Sequence, residues 1–467
     1  MRGIKSHGLN TMLVLVASWM LASCSAEENT QEQTEQSALK TAPRQAEPSA
    51  IVLSDAYKTE IASLAGRAVV ANAFEDIVQQ DAQNIKDLIE LTEIPAPPFE
   101  EQVRARRFAE MLRAAGLVDV SIDDVGNVIG RRPGSEGARV VAIAAHLDTV
   151  FPADTDVTVR IEGNTYHAPG IGDNTRGLVM MLSLLRTMQT LNLTTHDDIL
   201  FVGSVGEEGL GDLRGVKHLF RAGGPQIDAF IAIDGGSANR LIYGGVGSHR
   251  YRVTVNGPGG HSWGAFGLAN PHQALGRIIN NFVTNAPDVT NFGPKTSYSI
   301  GRIGGGTSIN SIPFSSWMEV DMRSGNQEKL DDIDVVFQQA IQAGLMEENT
   351  ARKSGPELTV EIKQVGKRPA GMGNPNAALV QRTMAAMNAL GIEARPAISS
   401  TDSNIPISLG IPAVTISRGG RAERAHSPDE RWHNEDSHVA IQIGLLTLLS
   451  EAGFPITCND CEPKAPE

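Results

Sequence analysis

Runs dominated by apolar residues at 140–145, 199–205 and 229–233 punctuate the first half of the chain. Each is too short for a helix and too uniformly apolar for a strand with one wet face, so each predicts a strand buried on both sides. Between them, 177–191 and 213–221 carry apolar residues at helical spacing. Upstream, the same spacing predicts helices over 77–93 and 100–115, separated by Pro95-Ala96-Pro97-Pro98 and closed by Gly116. Strands alternating with helices imply the α/β class: a mostly parallel sheet with helices on both faces.

From residue 250 the rhythm changes. A strand (250–255), a helix (272–282), two strands (297–303 and 317–322), a helix (330–345) and a strand (358–364) follow in turn. That order, β-α-β-β-α-β, is the ferredoxin-like α+β arrangement. The first pattern then returns, with a helix over 377–390, a strand over 413–417 and a helix over 437–452. The chain therefore divides into one domain in two parts, 71–248 and 367–456, and a second domain inserted in it, 249–366.

Composition narrows the class. Across 467 residues, 41% are hydrophobic and 20% charged, values of a folded globular chain and not of a disordered or polytopic membrane protein. The net charge of −14 argues against a nucleic-acid partner, because binding there means neutralising phosphates. At the N-terminus, Arg2 and Lys5 precede an apolar run from Met12 to Ala22 that is too short to span a bilayer, which reads as a signal peptide over 1–23. Its end, Leu21-Ala22-Ser23-Cys24, resembles the lipobox of bacterial lipoproteins. The resemblance implies a lipidated Cys24, a membrane contact through that anchor alone, and a place in the bacterial cell envelope, on the periplasmic side of the outer membrane. Ser25 to Pro48 is Glu, Gln, Thr and Ala with few large apolar residues, and the flexible tether is drawn over 24–70. Cys458 and Cys461 sit in a short tail, 457–467, as a structural or dispensable pair.

The chemistry gathers at strand ends, where open parallel sheets bind their ligands. The first buried strand runs into His146-Leu147-Asp148, the second into Gly206-Glu207-Glu208-Gly209, the third into Asp234-Gly235-Gly236. Gly170-Ile171-Gly172-Asp173-Asn174 stands just ahead of a helix at the same edge. Taken alone, Asp173 would be an ordinary helix cap. Together, five carboxylates and an imidazole at one edge would repel one another without cations between them, and that donor mixture suits zinc, with cobalt or manganese as substitutes.

These segments, with the late His426-Ser427-Pro428-Asp429-Glu430, resemble the ordered motifs of the zinc-dependent family of peptidase T, carboxypeptidase G, succinyl-diaminopimelate desuccinylase and aminoacylase. The resemblance spans 77–453. It implies two zinc ions bridged by Asp173, one completed by His146 and Asp234, the other by Glu208 and His426, with a cis peptide bond after Asp173. Asp148 would orient His146, and Glu207 would be the general base. His261, in Gly259-Gly260-His261-Ser262, would stabilise the oxyanion, often from the partner subunit of a homodimer paired through the inserted domain. Asn310 and Arg368 would hold the substrate's carboxylate or carbonyl. His433 shares the loop of His426, but its surroundings do not match the family's wording. His167, His196, His218, His249, His272 and His438 fall outside the motifs and read as surface or capping residues. The implied activity is hydrolysis of amide bonds in small peptides, with deacylation of N-acyl amino acids as the alternative and a non-catalytic peptide-binding lipoprotein as the remote one.

Overall fold

The computed structural model describes residues 51–455. The expected signal peptide, Cys24, and the pair Cys458 and Cys461 lie outside the described residues.

The central sheet has nine strands. Four neighbours at its middle, Asp198–Ser204, Val140–His146, Ala229–Gly235 and Ala413–Ser417, run parallel. Antiparallel strands Asp119–Ile122 and Val128–Arg132 close one side. Arg240–Gly245 lies on the other, carrying Gly371–Met372 antiparallel and Arg395–Ser399 parallel. Successive residues of a strand point to opposite faces, and both faces are covered. Val141, Ile143 and Ala145 pack with helices Arg176–Thr190 and Ser437–Glu451, while Ala142 and Ala144 meet Leu213 and, from the helix Arg214–Leu219 that follows it, Val216 and Leu219. Helix Ser437–Glu451 is buried along nearly its whole length, which is the position required by apolar residues spread around all its faces.

One sequence expectation fails here. The stretch assigned to a tether through residue 70 contains helix Asp55–Ala65 and the start of helix Ala68–Gln79. Both pack on the C-terminal helix, with Ile61, Val70, Ala73 and Ile77 buried. Glu60 bonds Arg382, and Ser54 N–H donates to Gln381 Oε1. The single helix expected over 77–93 is likewise two, Ala68–Gln79 and Asp81–Thr92.

Between Gly247 and Arg368 the chain builds a second, four-stranded antiparallel sheet in the order Thr296–Gly305, Ser315–Ser324, Gly247–Asn256, Thr359–Arg368. Helices Pro271–Asn285 and Gln327–Ala351 cover one face through a separate cluster that includes Val253, Ile278, Phe282, Met318 and Phe337. Strand Ser315–Ser324 alternates buried and half-buried residues, the period of a sheet with one covered face. Order and connections are those of the ferredoxin-like expectation, with the first strand starting and the last strand ending two residues beyond the drawn limits of 249 and 366. Arg368 is thus the residue at which the chain re-enters the larger unit.

Candidate active site

Three neighbouring parallel strands deliver their carboxyl ends to one edge, with His146 directly opposite Ser204 in the pairing register. Just beyond, the Asp148 carboxylate accepts the backbone N–H groups of Glu207 at 3.0 Å and Glu208 at 2.8 Å. This clamp fixes two adjacent acids on one turn. The backbone carbonyl of Asp148 accepts from His146 Nδ1 at 3.0 Å, nearer than its carboxylate at 3.7 Å. A carbonyl oxygen can only accept, so Nδ1 carries the proton and Nε2 is the free donor atom. Asp148 therefore orients the imidazole chiefly through its main chain.

His146 Nε2 is buried without a hydrogen bond, 3.2 Å from Asp173 Oδ1 and 3.8 Å from Asp234 Oδ1. On the other side, His426 Nε2 stands 3.5 Å from Asp173 Oδ2 and 2.9 Å from Glu208 Oε1. Asp173 precedes helix Arg176–Thr190 in a break where the Asp173–Asn174 bond is cis. Glu430 pins that break: its carboxylate accepts the N–H groups of Gly170, Gly172 and Asp173, each at 2.9 Å. Burial pushes the Glu430 carboxyl up to about 7, and the N–H groups of Gly170 and Asp173 oppose that rise. His426 arrives on the turn between Arg421–Glu423 and Arg431–His433, a hairpin seated by buried Trp432, whose Nε1–H donates to Gly419 O at 2.8 Å. The backbone of His426 is left-handed, φ 63°. His433 bonds Thr165 Oγ1 at 2.9 Å and belongs to none of the donor groups.

Electrostatics report the crowding of acids. Burial would raise Asp173, yet Arg418, His146 and His426 outweigh it and hold the carboxyl well below its ordinary range. Burial would lower His146, but Asp148, Asp173 and Asp234 push it well upward. Hydrogen bonds from His426 to Asp173 and Glu208 lift that imidazole to about 10. Burial drives Glu207 well above the carboxylate range, with the Arg368 guanidinium pulling against it and Glu208 adding to it. Arg368 Nη1 donates to Glu207 Oε1 and to Ser400 Oγ, both at 2.9 Å.

Among the described residues, three donor groups meet the spacing of a metal site: His146, Asp173 and Asp234; Asp173, Glu208 and His426; His146, Glu207 and Glu208. The orphaned His146 Nε2, facing oxygens of Asp173 and Asp234, fits a divalent cation, which would give that atom a partner and balance the carboxylates. A cavity of about 330 Å³ opens onto these acids. Its wall also carries five arginines, Arg240, Arg250, Arg323, Arg368 and Arg418.

His261 and Asn310 do not line this cavity. They stand together on an exposed turn of the inserted unit, where Gly260–His261 pairs with Ser311–Ile312 and Ser262 N–H donates to Asn310 O at 3.0 Å. His249, expected at the surface, is buried and bonded to Asp334 Oδ2 at 2.9 Å. Sequence reading also passed over Arg418, which donates to Asp173 and Asp234, and Asp402, a buried acid bonded to Ser204 Oγ at 2.5 Å that burial lifts to about 6. Arg418 directly follows a parallel strand, so the rule that pointed to the acids also covers it.

Replacing Glu430 by Ala leaves three backbone donors of the Asp173 break unpaired. Urea unfolding of the metal-free protein is expected to show a loss of about 1–3 kcal/mol. Half-maximal activity should then need more metal, because Asp173 loses its support. Unchanged values in both measurements would deny Glu430 this role.

A profile of peptidase family M20/M25/M40 matches residues 142–450. Succinyl-diaminopimelate desuccinylase of Corynebacterium glutamicum is 26% identical over 366 residues, 77% of this chain and 94% of that protein. Carboxypeptidase G2 of a Pseudomonas species is 24% identical over 313 residues, 65% and 70% of the two chains. Among solved structures, aminopeptidase PepT of Bacillus cereus superposes with a TM-score of 0.63 at 20% identity, covering 79% of this chain and 98% of its own. The dipeptidase Dug1p of Saccharomyces cerevisiae gives 0.64 at 16% identity, covering 82% and 98%. These two share the fold. Since the profile runs from the strand that ends in His146 to the final helix and takes in every donor of the cluster, the chain belongs to peptidase family M20/M25/M40, a family of metal-dependent hydrolases.

Proposed function

We propose that this chain hydrolyses amide bonds in small peptides, as a di- or tripeptide exopeptidase, at a site that holds two zinc ions. The observation that carries the reading is the division of Asp173, whose Oδ1 faces His146 while Oδ2 faces His426. One carboxylate thereby serves two donor triads, completed by Asp234 and by Glu208. The ions, when bound, supply an acidified water and polarise the scissile carbonyl. Glu207 takes the proton of the attacking water and hands it to the leaving nitrogen as the C–N bond breaks. Asp148 keeps His146 in the ligating tautomer and the Glu207–Glu208 turn in place. Arg368 steadies Glu207 and, with Arg240, offers a cationic wall to a substrate carboxylate; Arg240 has no acid partner among the described residues. Asn310 and His261 complete the site from a second copy paired through the inserted unit, His261 stabilising the oxyanion. On its N-terminal sequence the chain is lipid-anchored through Cys24 in the bacterial cell envelope.

The second reading, deacylation of N-acyl amino acids, is favoured by the desuccinylase relative, which aligns over 94% of its length. A panel of di- and tripeptides beside acetylated and succinylated amino acids separates the two. Peptide cleavage is expected, lost on chelation and restored by zinc, in protein that holds about two zinc ions per chain. Cleavage confined to the acyl set would replace the peptidase reading, and activity indifferent to chelation would remove the metal from both.

A further inference from the structure

Arg418 Nη1 donates to Asp173 Oδ1 at 2.8 Å and to Asp234 Oδ1 at 3.1 Å. Those two oxygens are the carboxylate atoms nearest His146 Nε2, so they are the donors of the first triad. The second triad uses the opposite oxygen of Asp173, beside His426 and Glu208, and among the described residues no arginine donates to that oxygen. Arg418 is 6% exposed, and its Nε is buried without a partner. Its backbone N–H donates to Gly235 O, next to Asp234, so residue and acid are tied at the main chain as well.

We propose that Arg418 makes the two metal positions unequal, with tight binding at Asp173–Glu208–His426 and weak binding at His146–Asp173–Asp234. The inference rests on the two-ion reading above. Any cation held by the first triad must share both carboxylate oxygens with a fixed guanidinium. That group withdraws electron density from the oxygens through its hydrogen bonds, and its charge repels a divalent ion in surroundings where water screens little. A proton on His146 or His426 can leave when a metal arrives. A guanidinium cannot lose its charge in a protein. The handicap at the first triad therefore persists at every working pH, and the protein passes through a one-ion form as metal concentration rises. Arg418 acts through the ligands and so is a positioning residue, not a catalytic one.

The test titrates metal-stripped full-length protein with zinc against a chromophoric chelator. Wild type is expected to bind two ions in steps separated by about tenfold or more. Arg418→Gln, which removes the charge and keeps an amide donor, should tighten the weaker step by about tenfold and the stronger step less. Arg418→Lys should preserve the separation. His426→Ala, which removes a donor of the other triad, should abolish the tighter step. Two equal steps in wild type overturn the inference and leave the two-ion reading standing, a result that needs no variant to fold. So does a weaker step unmoved in Arg418→Gln, or loss of the weaker step in His426→Ala. Failure of wild type to bind zinc at all overturns both.

Discussion

Glu207→Gln is expected to lower kcat by about 10³-fold while the protein keeps its full complement of metal. Gln retains the oxygen that accepts from Arg368 at 2.9 Å, so the turn held by Asp148 keeps its shape. What it loses is the ability to take a proton. Burial and the neighbouring Glu208 favour the protonated form of Glu207, and Arg368 opposes them, which poises the group closer to neutrality than an ordinary glutamate. An acid is useful to a hydrolase in that state because it must accept a proton and then release it to the leaving nitrogen. The base works when ionised, so kcat/KM should fall as pH drops through its titration, at a pH above the usual carboxylate range. Glu207→Asp keeps the chemistry and shortens the reach, and should also be impaired. Steady-state rates beside elemental analysis check all three statements. Full activity in Glu207→Gln would end the assignment, and loss of metal in that variant would recast Glu207 as a ligand.

The parts of the fold that were legible in the sequence are those whose burial leaves no choice of pattern. Val140–His146 and Ala229–Gly235 are buried on both faces and therefore read as unbroken apolar runs. The β-α-β-β-α-β order of the inserted unit was legible for a related reason: it folds around its own core, so its periodicities are set within 120-odd consecutive residues. Helix Asp55–Ala65 was not. It buries only Ile61 and Leu64, follows a polar stretch, and gains its stability from helices near residues 380 and 445, a partner no local window contains. Strands Arg240–Gly245 and Arg395–Ser399 were missed because glycines, a proline and partial exposure blur their pattern. In the site, acids and an imidazole at strand ends pointed to His146, Asp173, Glu208 and Asp234, the family resemblance added His426, and the structure gathers all five. Arg418 escaped because the counter-charge expected among these acids was metal alone, and the part of Glu430 in bracing Asp173 depends on backbone atoms that no side-chain motif encodes.

Asp173→Ala should do more damage than any other single ligand change, because Asp173 is the residue shared by the two proposed metal triads, His146–Asp173–Asp234 and Asp173–Glu208–His426. His146 and Asp234 remain on one side and Glu208 and His426 on the other, two donors each where three stood. Zinc content is expected to fall from about two ions to below one, and kcat/KM by about 10³-fold or more. Stability gives an independent reading. A ligand that binds only the folded state adds about 2.7 kcal/mol when present at a hundred times its Kd, so wild type should melt higher with zinc than without, and the variant should lose most of that rise. Asp173→Asn separates two explanations of such a loss. Asn keeps the side-chain oxygen facing Arg418, and Glu430 still grips the backbone of residues 170–173, so the break before the helix is preserved. Only the charge and one ligating oxygen disappear. If the carboxylate itself joins the two ions, Asn should be nearly as deficient as Ala in metal content and zinc-dependent melting. If Asp173 mattered only for the shape of the break, Asn would bind two ions like wild type, and the shared bridge would be the wrong description of this centre.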